Sequence, residues 1–236
     1  MAESRVALVT GSARGIGRAI AEALAASGLR VVGADVLEQV REPLDRVVRA
    51  DLAEPDACRA LVAGIGRVDV LVNNAAILIE RPIEEFTLED FDRTVAINLR
   101  AVFLLSQVAV VGMRERGWGR IVNVSSVGAR TGGMALSGVY AATKAGVIAL
   151  TKNFARSYGP HGITANAVAP GAVDAPMARG QMARDPDFRA RLLPQIPLRR
   201  FSEPSEIASV VAFLASEAAS FVTGATVDVN GGWVMT

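Results

Sequence analysis

The chain has very little of the residues that bind metals, form disulfides or give a protein charge of one sign. Its 236 residues include one cysteine, Cys58, and one histidine, His161, and the formal net charge is +1. A single cysteine cannot form an internal disulfide, which fits a reducing compartment. A lone histidine completes neither a metal site nor a catalytic triad, so we expect no metal and interpret His161 as a structural residue. The balanced charge lacks the electrostatic footprint of a nucleic-acid-binding protein.

The sequence also lacks an apolar run long enough to cross a membrane. The closest stretch, Ala96 to Met113, contains Asn98 and Arg100. The first residues lead directly into a strand-like run and show no signal-peptide pattern. We therefore expect a cytoplasmic protein that binds neither membrane nor nucleic acid. A chain of this length fits one α/β domain, spanning 1–236.

Lysine and tyrosine are scarce as well, and their positions are informative. The chain has two lysines among 25 cations and two tyrosines, yet Lys144 follows Tyr140 by four residues. On a helix, residues i and i+4 share a face, so this spacing places an ammonium beside a phenol. A nearby cation favours the phenolate and lowers its pKa, which suits an acid/base catalyst. The pair alone is equally compatible with coincidence.

A glycine-rich turn near the start of the chain predicts a nucleotide site. The run Arg5 to Val9 is typical of a buried strand, and an alanine-rich helix follows the turn. Between them, Gly11 permits a tight turn, Gly15 lets the backbone approach a pyrophosphate, and Gly17 lets the helix pack on the strand. The helix N-terminus offers free N–H groups to phosphates. An ordinary strand-to-helix turn is the alternative.

The second strand, Arg30 to Asp35, ends in an acid about 20 residues beyond the glycine turn. A carboxylate there accepts hydrogen bonds from the adenosine ribose and repels a 2′-phosphate, which favours NAD over NADP. Arg14 argues for NADP, because a cation in the turn can meet that phosphate. We give Asp35 more weight, and its alternative is an ordinary surface acid. At the end of the third strand, Asp51 and Leu52 are candidates for residues that border the adenine ring of the cofactor.

Polar residues at later positions are open to two interpretations each. The amides of Asn73 and Asn74 end the fourth strand, where they can satisfy loop backbone or contact a ligand. Asn98 lies inside a predicted helix from Thr87 to Arg116. Its amide is either a hydrogen-bonded core group or a group that binds a relay water. Ser126 ends the fifth strand, where ligands bind in open α/β sheets, although such serines usually cap a turn.

The segment from Asp174 to Phe201 is the candidate lid over a substrate. It contains four prolines and six arginines, with one short helical piece predicted around Asp187 to Leu193. We call 174–201 the lid segment. The remaining strand-like runs are 47–51, 69–74, 120–126, 163–169 and 226–230.

Taken together, these motifs resemble the short-chain dehydrogenase/reductase family along essentially the whole chain. The resemblance implies a Rossmann-type doubly wound parallel sheet of seven strands with helices on both faces, and usually a homotetramer. The residues that carry it are Thr10 to Gly17, Asn73-Asn74-Ala75, Asn98, Ser126, Tyr140 with Lys144, Pro170-Gly171 and Asn230-Gly231-Gly232.

The resemblance also implies roles for individual residues. Tyr140 is the expected acid/base, Lys144 lowers its pKa and holds the nicotinamide ribose, Ser126 hydrogen-bonds the substrate oxygen, and Asn98 holds a water. We take Ser126 rather than Ser125 as the catalytic serine. The expected cofactor contacts are Gly11, Ser12, Arg14, Gly15, Ile16, Gly17, Asp35, Asp51, Leu52, Asn74, Ala75, Ala76, Tyr140, Lys144, Pro170, Gly171 and Val173.

The chain departs from the family pattern at a few positions. Ala76 replaces a usual glycine, and Ala175 replaces a threonine that commonly contacts the nicotinamide carboxamide. The loop before Tyr140 is one residue longer than usual. The apolar residues Ile77, Leu78, Met134 and Met177 are candidates for walls of the substrate pocket.

The expected activity is NAD-dependent interconversion of a secondary alcohol and its ketone. The substrate is a polyol, sugar, hydroxy acid or cyclic alcohol, and the sequence does not choose among them. A rival prediction is an NADP-dependent reductase of 3-oxoacyl thioesters. In that enzyme, Arg14 and the lid arginines would contact phosphate groups. A non-enzymatic rival is a nucleotide-binding regulator that has lost turnover.

Overall fold

Seven parallel strands form one sheet in the order β3-β2-β1-β4-β5-β6-β7. The computed structural model describes residues 4–134 and 136–236. The chain builds outward from β1 to β3 and then returns to the other side of β1 at β4. This reversal creates a crevice at the carboxyl ends of the strands, where open α/β sheets bind ligands. The strands are β1 Val6–Thr10, β2 Arg30–Asp35, β3 Arg46–Arg49, β4 Val70–Asn73, β5 Gly119–Val124, β6 Ile163–Pro170 and β7 Thr226–Val229.

Helices cover both faces of this sheet and bury it. On one face, α1 packs against α9, and on the other face α2, α4 and α6 lie side by side. Successive strand residues alternate between the two cores: Leu8 packs on the second group of helices and Val9 on the first. The helices are α1 Gly15–Ala26, α2 Pro55–Ile65, α3 Leu88–Val95, α4 Ala101–Arg116, α5 Gly128–Thr131, α6 Gly138–Tyr158, α7 Pro176–Arg184, α8 Phe188–Leu192 and α9 Pro204–Ala215.

The predicted fold is confirmed, and the strand boundaries agree to within about two residues. Strands β4, β5 and β6 are buried at every position. Burial at every position is expected of a parallel sheet that helices cover on both faces. The polar side chains inside these strands are hydrogen-bonded within the core, as Asn123 is to Asn73 and Thr151.

The predicted long helix from Thr87 to Arg116 is interrupted in the structure. Thr87 caps α3 by accepting a hydrogen bond from the Asp90 backbone N–H at 3.1 Å. A π-helical turn, Ala96–Arg100, then separates α3 from α4. Such wide turns are frequent at functional sites, and this one contains Asn98. The residue after α4, Gly117, takes a left-handed conformation that ends the helix.

Contrary to the expectation from the sequence, the helical stretch Leu88–Arg116 is long and apolar enough to cross a membrane by length and composition alone. In the domain, however, 56% of its most apolar window is buried. It packs on α2 and α6, as the central helix of a folded core does.

The lid segment contains one helix that the sequence analysis did not predict. Helix α7 precedes the predicted piece, which the structure shows as α8. Its signals are present in the sequence: Pro176 occupies the first turn and Arg184 the last. The prolines of the segment obscured them. A small hydrophobic cluster lies apart from the two main cores and consists of Ala178, Phe188, Leu192, Ile196 and Phe201.

Candidate active site

A cleft with a volume of about 1090 Å³ runs along the carboxyl ends of the strands. One half is lined by the glycine turn and the ends of β2 and β3, and we call it the cofactor half. The other half is lined by the loop before α6 and by the lid segment, and we call it the substrate half. Tyr140 and Lys144 lie on the wall of the cleft. Of the predicted cofactor residues, all except Ser12 line it: Gly11, Arg14, Gly15, Ile16, Gly17, Asp35, Asp51, Leu52, Asn74, Ala75, Ala76, Tyr140, Lys144, Pro170, Gly171 and Val173.

The glycine turn is shaped by two glycines in different ways. Gly11 has a φ of +68°, a left-handed conformation that other residues avoid, and its N–H donates to the Ala34 carbonyl at 2.8 Å. A Cβ on Gly17 would lie 2.0 Å from the Gly11 carbonyl oxygen, so no side chain fits there. The turn therefore holds α1 directly against β1.

The N-terminus of α1 fits a pyrophosphate. Arg14 at the N-cap makes no side-chain capping hydrogen bond, and the first turn contains no acidic residue. The first backbone N–H groups of the helix therefore lack a side-chain cap and point toward the cleft with the positive end of the helix dipole. A dinucleotide bound there would place its phosphates on these donors.

The Ser12 side chain does not line the cleft. The residue is fully buried, and its hydroxyl donates to Gln39 Oε1 at 2.7 Å. It joins the glycine turn to the loop after β2 rather than facing the cleft. The reason is the tight turn at Gly11, which points the next side chain into the protein.

Asp35 is fixed at the edge of the cofactor half. Its Oδ2 accepts a hydrogen bond from the Ala13 N–H at 3.0 Å, and its Oδ1 accepts one from the Leu37 N–H at 3.0 Å. The two backbone donors orient the carboxylate between the glycine turn and the loop after β2. Arg14 is exposed nearby and forms no ion pair within residues 4–134 and 136–236.

The two asparagines that end β4 are used by the protein itself. Asn74 donates from Nδ2 to the carbonyls of Thr10 at 2.9 Å and Gly11 at 3.2 Å. Asn73 is buried and donates to Ser106 and to Asn123 Oδ1 at 3.1 and 2.8 Å. Of the two interpretations left by the sequence, these contacts support backbone satisfaction for the Asn74 side chain, while its residue still borders the cleft.

Asn98 is fully buried in the π-helical turn and does not line the cleft. Its Oδ1 accepts from the Ile77 N–H and its Nδ2 donates to the Ile77 carbonyl, both at 2.9 Å. A longer contact of 3.4 Å joins Nδ2 to Thr143. The side chain is therefore a satisfied core amide that fixes the segment after β4, and the relay water remains a prediction.

The two serines after β5 have different surroundings. Ser125 is buried and donates to the Lys144 carbonyl at 2.9 Å, which docks α6 on the sheet. Ser126 lines the cleft, accepts from the Gly128 N–H at 3.0 Å and lies close enough to Tyr140 to lower the pKa of its phenol in part. This geometry supports the choice of Ser126 as the serine that meets a substrate oxygen.

The charges around Tyr140 differ from the prediction. Burial raises the pKa of Tyr140 to about 12, against a partial lowering by Ser126. Lys144 does not lower it here, because its ammonium lies 5.6 Å from the ring centroid and donates to the Val124 carbonyl at 2.7 Å. Burial also lowers the pKa of Lys144 itself to about 8.

The predicted wall residues line the cleft, whereas His161 lies outside it. Ile77, Leu78, Met134 and Met177 all line the cleft. Among the described residues, no group of three His, Cys, Asp or Glu side chains is close enough to hold a metal. His161 lies against the ring of Tyr158, with 6.4 Å between ring centroids, and is not part of the cleft.

Comparisons with known proteins agree with this geometry. A family model described as enoyl-(acyl carrier protein) reductase matches residues 11–234. The L-xylulose reductase of Bos taurus is 43% identical over 239 residues, covering 98% of this chain and 97% of that protein. The 3-oxoacyl-[acyl-carrier-protein] reductase FabG of Vibrio cholerae serotype O1 is 40% identical over 244 residues, covering 99% and 98%. A solved 3-oxoacyl (acyl-carrier-protein) reductase of Agrobacterium tumefaciens C58, with NADP bound, has a TM-score of 0.90 at 33% identity, covering 97% of this chain and 93% of that chain.

The chain belongs to the short-chain dehydrogenase/reductase family. It is an oxidoreductase that acts on CH–OH or ketone groups with a nicotinamide dinucleotide. Its departures from the family pattern lie in the cleft itself, since both Ala76 and Ala175 line it.

Some cleft residues of this dehydrogenase/reductase were missed by the sequence analysis. Gln181 and Phe188 come from the lid helices, and Trp233 comes from the C-terminal segment. The position of Trp233 directly after Gly232 was a usable signal, because the closing glycines bend the chain back toward the lid. No local pattern marks Gln181, whose burial depends on a residue about 100 positions earlier in the chain.

Proposed function

We propose that this enzyme uses NAD to interconvert a secondary alcohol and its ketone, with Tyr140 as the general acid/base. The observation that carries the proposal is the placement of Tyr140, Ser126 and Lys144 on one cleft with the fixed carboxylate of Asp35. The first three residues supply the chemistry, and Asp35 selects the cofactor.

The preference for NAD follows from the way Asp35 is held. Because two backbone N–H groups fix its carboxylate, it cannot easily turn away from an incoming 2′-phosphate. Like charges at a few ångströms repel strongly at a partly buried site, whereas ribose hydroxyls can donate to the same oxygens. This supports NAD over NADP.

The chemistry assigned to each residue follows from its surroundings. Bound NAD supplies the hydride acceptor for the alcohol, and its reduced form supplies the hydride for the ketone. With a pKa of about 12, Tyr140 keeps its proton at neutral pH, which is the form that protonates a reduced ketone oxygen. Ser126 lies beside the phenol and can donate to the same oxygen. Lys144, on the next turn of α6, is placed to hold the nicotinamide ribose.

A second candidate is an NADP-dependent reductase of 3-oxoacyl thioesters. Two of the similar proteins described above are 3-oxoacyl-[acyl-carrier-protein] reductases, and the solved one has NADP bound. In this chain, the exposed Arg14 at the mouth of the cofactor half is the residue that favours it.

One screen distinguishes these activities. The purified enzyme is assayed with NADH and NADPH against cyclohexanone, ethyl acetoacetate, xylulose and acetoacetyl-CoA, and with NAD and NADP against the matching alcohols. We expect turnover with NADH to exceed turnover with NADPH. Faster NADPH turnover on acetoacetyl-CoA would instead establish the second candidate. Tight NAD binding without turnover of any compound would indicate a nucleotide-binding regulator.

We also propose that the enzyme is a homotetramer. Large apolar side chains are exposed on α4, where Phe103 and Val111 are 40% and 50% exposed, and near the edge strand β7, where Phe221 is fully exposed. Contact between copies would remove these exposed apolar side chains from water, which supports an oligomer. Light scattering during size-exclusion chromatography gives the mass, and a monomer would contradict this part of the proposal.

A further inference from the structure

The substrate half of the cleft is bordered by three chain segments that are joined to one another. The segment after β4, residues 74–82, forms one wall. It binds the loop before α6 through the Arg81 N–H, which donates to the Leu136 carbonyl at 3.2 Å. Helix α7 of the lid segment forms the opposite wall. Glu80 is the residue that connects this helix to the rest.

Glu80 uses both carboxylate oxygens to hold α7. Its Oε1 accepts a hydrogen bond from Gln181 Nε2 at 2.6 Å, and its Oε2 accepts one from the Arg184 guanidinium. The Glu80 side chain is 18% exposed, while that of Arg184 is 64% exposed. Within residues 4–134 and 136–236, no other hydrogen bond joins a side chain of α7 to the opposite wall.

Helix α7 has few other contacts that fix it over the cleft. Only two of its nine residues are buried, Ala178 and Gln181. Ala178 packs in the small cluster of the lid segment itself rather than in the two main cores. Gln181 is buried while bound to Glu80. The start of α7 lies beside the glycine turn, where Pro176 is next to Gly15. Across the cleft, on the side of Ile77 and Leu78, the helix is held through Glu80.

We propose that Glu80 is a positioning residue that holds α7 over the substrate half through Gln181 and Arg184, and so sets how tightly the substrate is bound. This inference rests on the proposed function, because it assumes that the substrate half receives the alcohol or ketone. Entry and release require the two contacts to break and form again in each cycle. A half-exposed ion pair suits this task, because water competes for it and makes it weak.

The test exchanges the two charges. The variants are E80R, R184E and the double variant E80R/R184E, assayed with the fastest ketone of the screen and the cofactor that supports it. Each single variant places like charges together, so we expect KM to rise about five- to tenfold. The double variant restores an opposite-charge pair and should return KM to within about twofold of the parent enzyme. In all three, the Kd of the reduced cofactor, measured by its fluorescence, should change less than about twofold, because Glu80 lies outside the cofactor half.

D174N is the matched control. Asp174 also pairs with two arginines, Arg179 and Arg189, but all three belong to the lid segment and none reaches across the cleft. Its loss should leave KM within about twofold of the parent value. An equal rise of KM in D174N would show that any loosening of the lid has this effect, and the role of Glu80 would be refuted.

A second measurement does not depend on turnover. Hydrogen–deuterium exchange of the peptide covering 176–184, without ligands, should be faster in E80R and in R184E and should return to the parent rate in E80R/R184E. Unchanged exchange in the single variants, or no rescue in the double variant, would overturn the proposal. If no ketone is reduced, the proposed function fails, while exchange still decides whether Glu80 positions α7.

Discussion

The two halves of the cleft are held together by different kinds of contact. In the cofactor half, backbone groups make most of the connections: Gly11 bonds to Ala34, Asp35 accepts from two backbone N–H groups, and Asn74 donates to two backbone carbonyls. In the substrate half, a single carboxylate, Glu80, joins two side chains of α7. The first half is fixed by backbone geometry at the ends of the strands. In the second half, α7 is joined to the opposite wall through side chains that can separate.

This difference predicts which half of the cleft tolerates substitution. A backbone contact at the end of a strand tolerates few side chains, as the space beside Gly17 shows. A side-chain pair between loops can be lost or replaced without disturbing the sheet. We therefore expect substitutions to be tolerated better in the substrate half than in the cofactor half.

Tyr140 lies where the halves meet, and its loss should have the largest effect. We expect Y140F to lower kcat by about 10²–10⁴, because it removes the proton donor and leaves the ring in place. The Kd of NADH should change less than about twofold. The matched control is Y158F: Tyr158 is on the same helix but stacks on Phe154, away from the cleft. Full activity of Y140F would contradict the assignment of Tyr140 as the general acid/base.

The glycine turn should be the most sensitive part of the cofactor half. In G17A, the new Cβ would meet the Gly11 carbonyl at 2.0 Å, so α1 must move from β1. We expect a loss of about 3 kcal/mol in unfolding free energy, at the upper end for overpacking, together with weaker NADH binding. G64A is the control, because nothing lies within 4 Å of that added Cβ. It should change stability by less than about 1 kcal/mol. Chemical denaturation measures both variants, and equal effects would show that the turn is not tightly packed.

The contrast between backbone contacts and side-chain contacts also explains which features could be predicted from the sequence. The fold, the glycine turn and the position of Asp35 follow from local patterns, because each residue there is required by its own backbone conformation. The inward direction of the Ser12 side chain could not be predicted, because the direction of a side chain in a tight turn is not a property of spacing. Gln181 was missed because its partner, Glu80, is distant in the chain and neither residue carries a pattern. The raised pKa of Tyr140 depends on burial, which the helical spacing of Tyr140 and Lys144 does not contain.

A charge substitution at Asp35 tests whether the cofactor half selects NAD. In D35N, the amide oxygen can still accept one of the two backbone hydrogen bonds, but the repulsion of a 2′-phosphate is removed. We expect the ratio of kcat/KM with NADPH to kcat/KM with NADH to rise about tenfold to thirtyfold. E38Q removes a charge from the same loop without a contact to the cleft and should leave this ratio unchanged. An unchanged ratio in D35N would mean that another residue selects the cofactor.

The smallest expected effect concerns the buried ammonium of Lys144, which supports both halves. Its pKa is lowered by burial from about 10.5 to about 8, so the unfolded chain binds more protons between these values than the folded one. The cost of burying the charge is complete below pH 8 and is relieved as the pH rises toward 10.5. Relative to K144M, the parent enzyme should therefore gain about 1 kcal/mol of unfolding free energy between about pH 7.5 and about pH 9. Urea denaturation of both proteins across this range measures the difference, and other titrating groups cancel in the comparison. A difference that stays constant with pH would show that Lys144 keeps its ordinary pKa, and that its charge is available to stabilise a Tyr140 phenolate as the sequence first suggested.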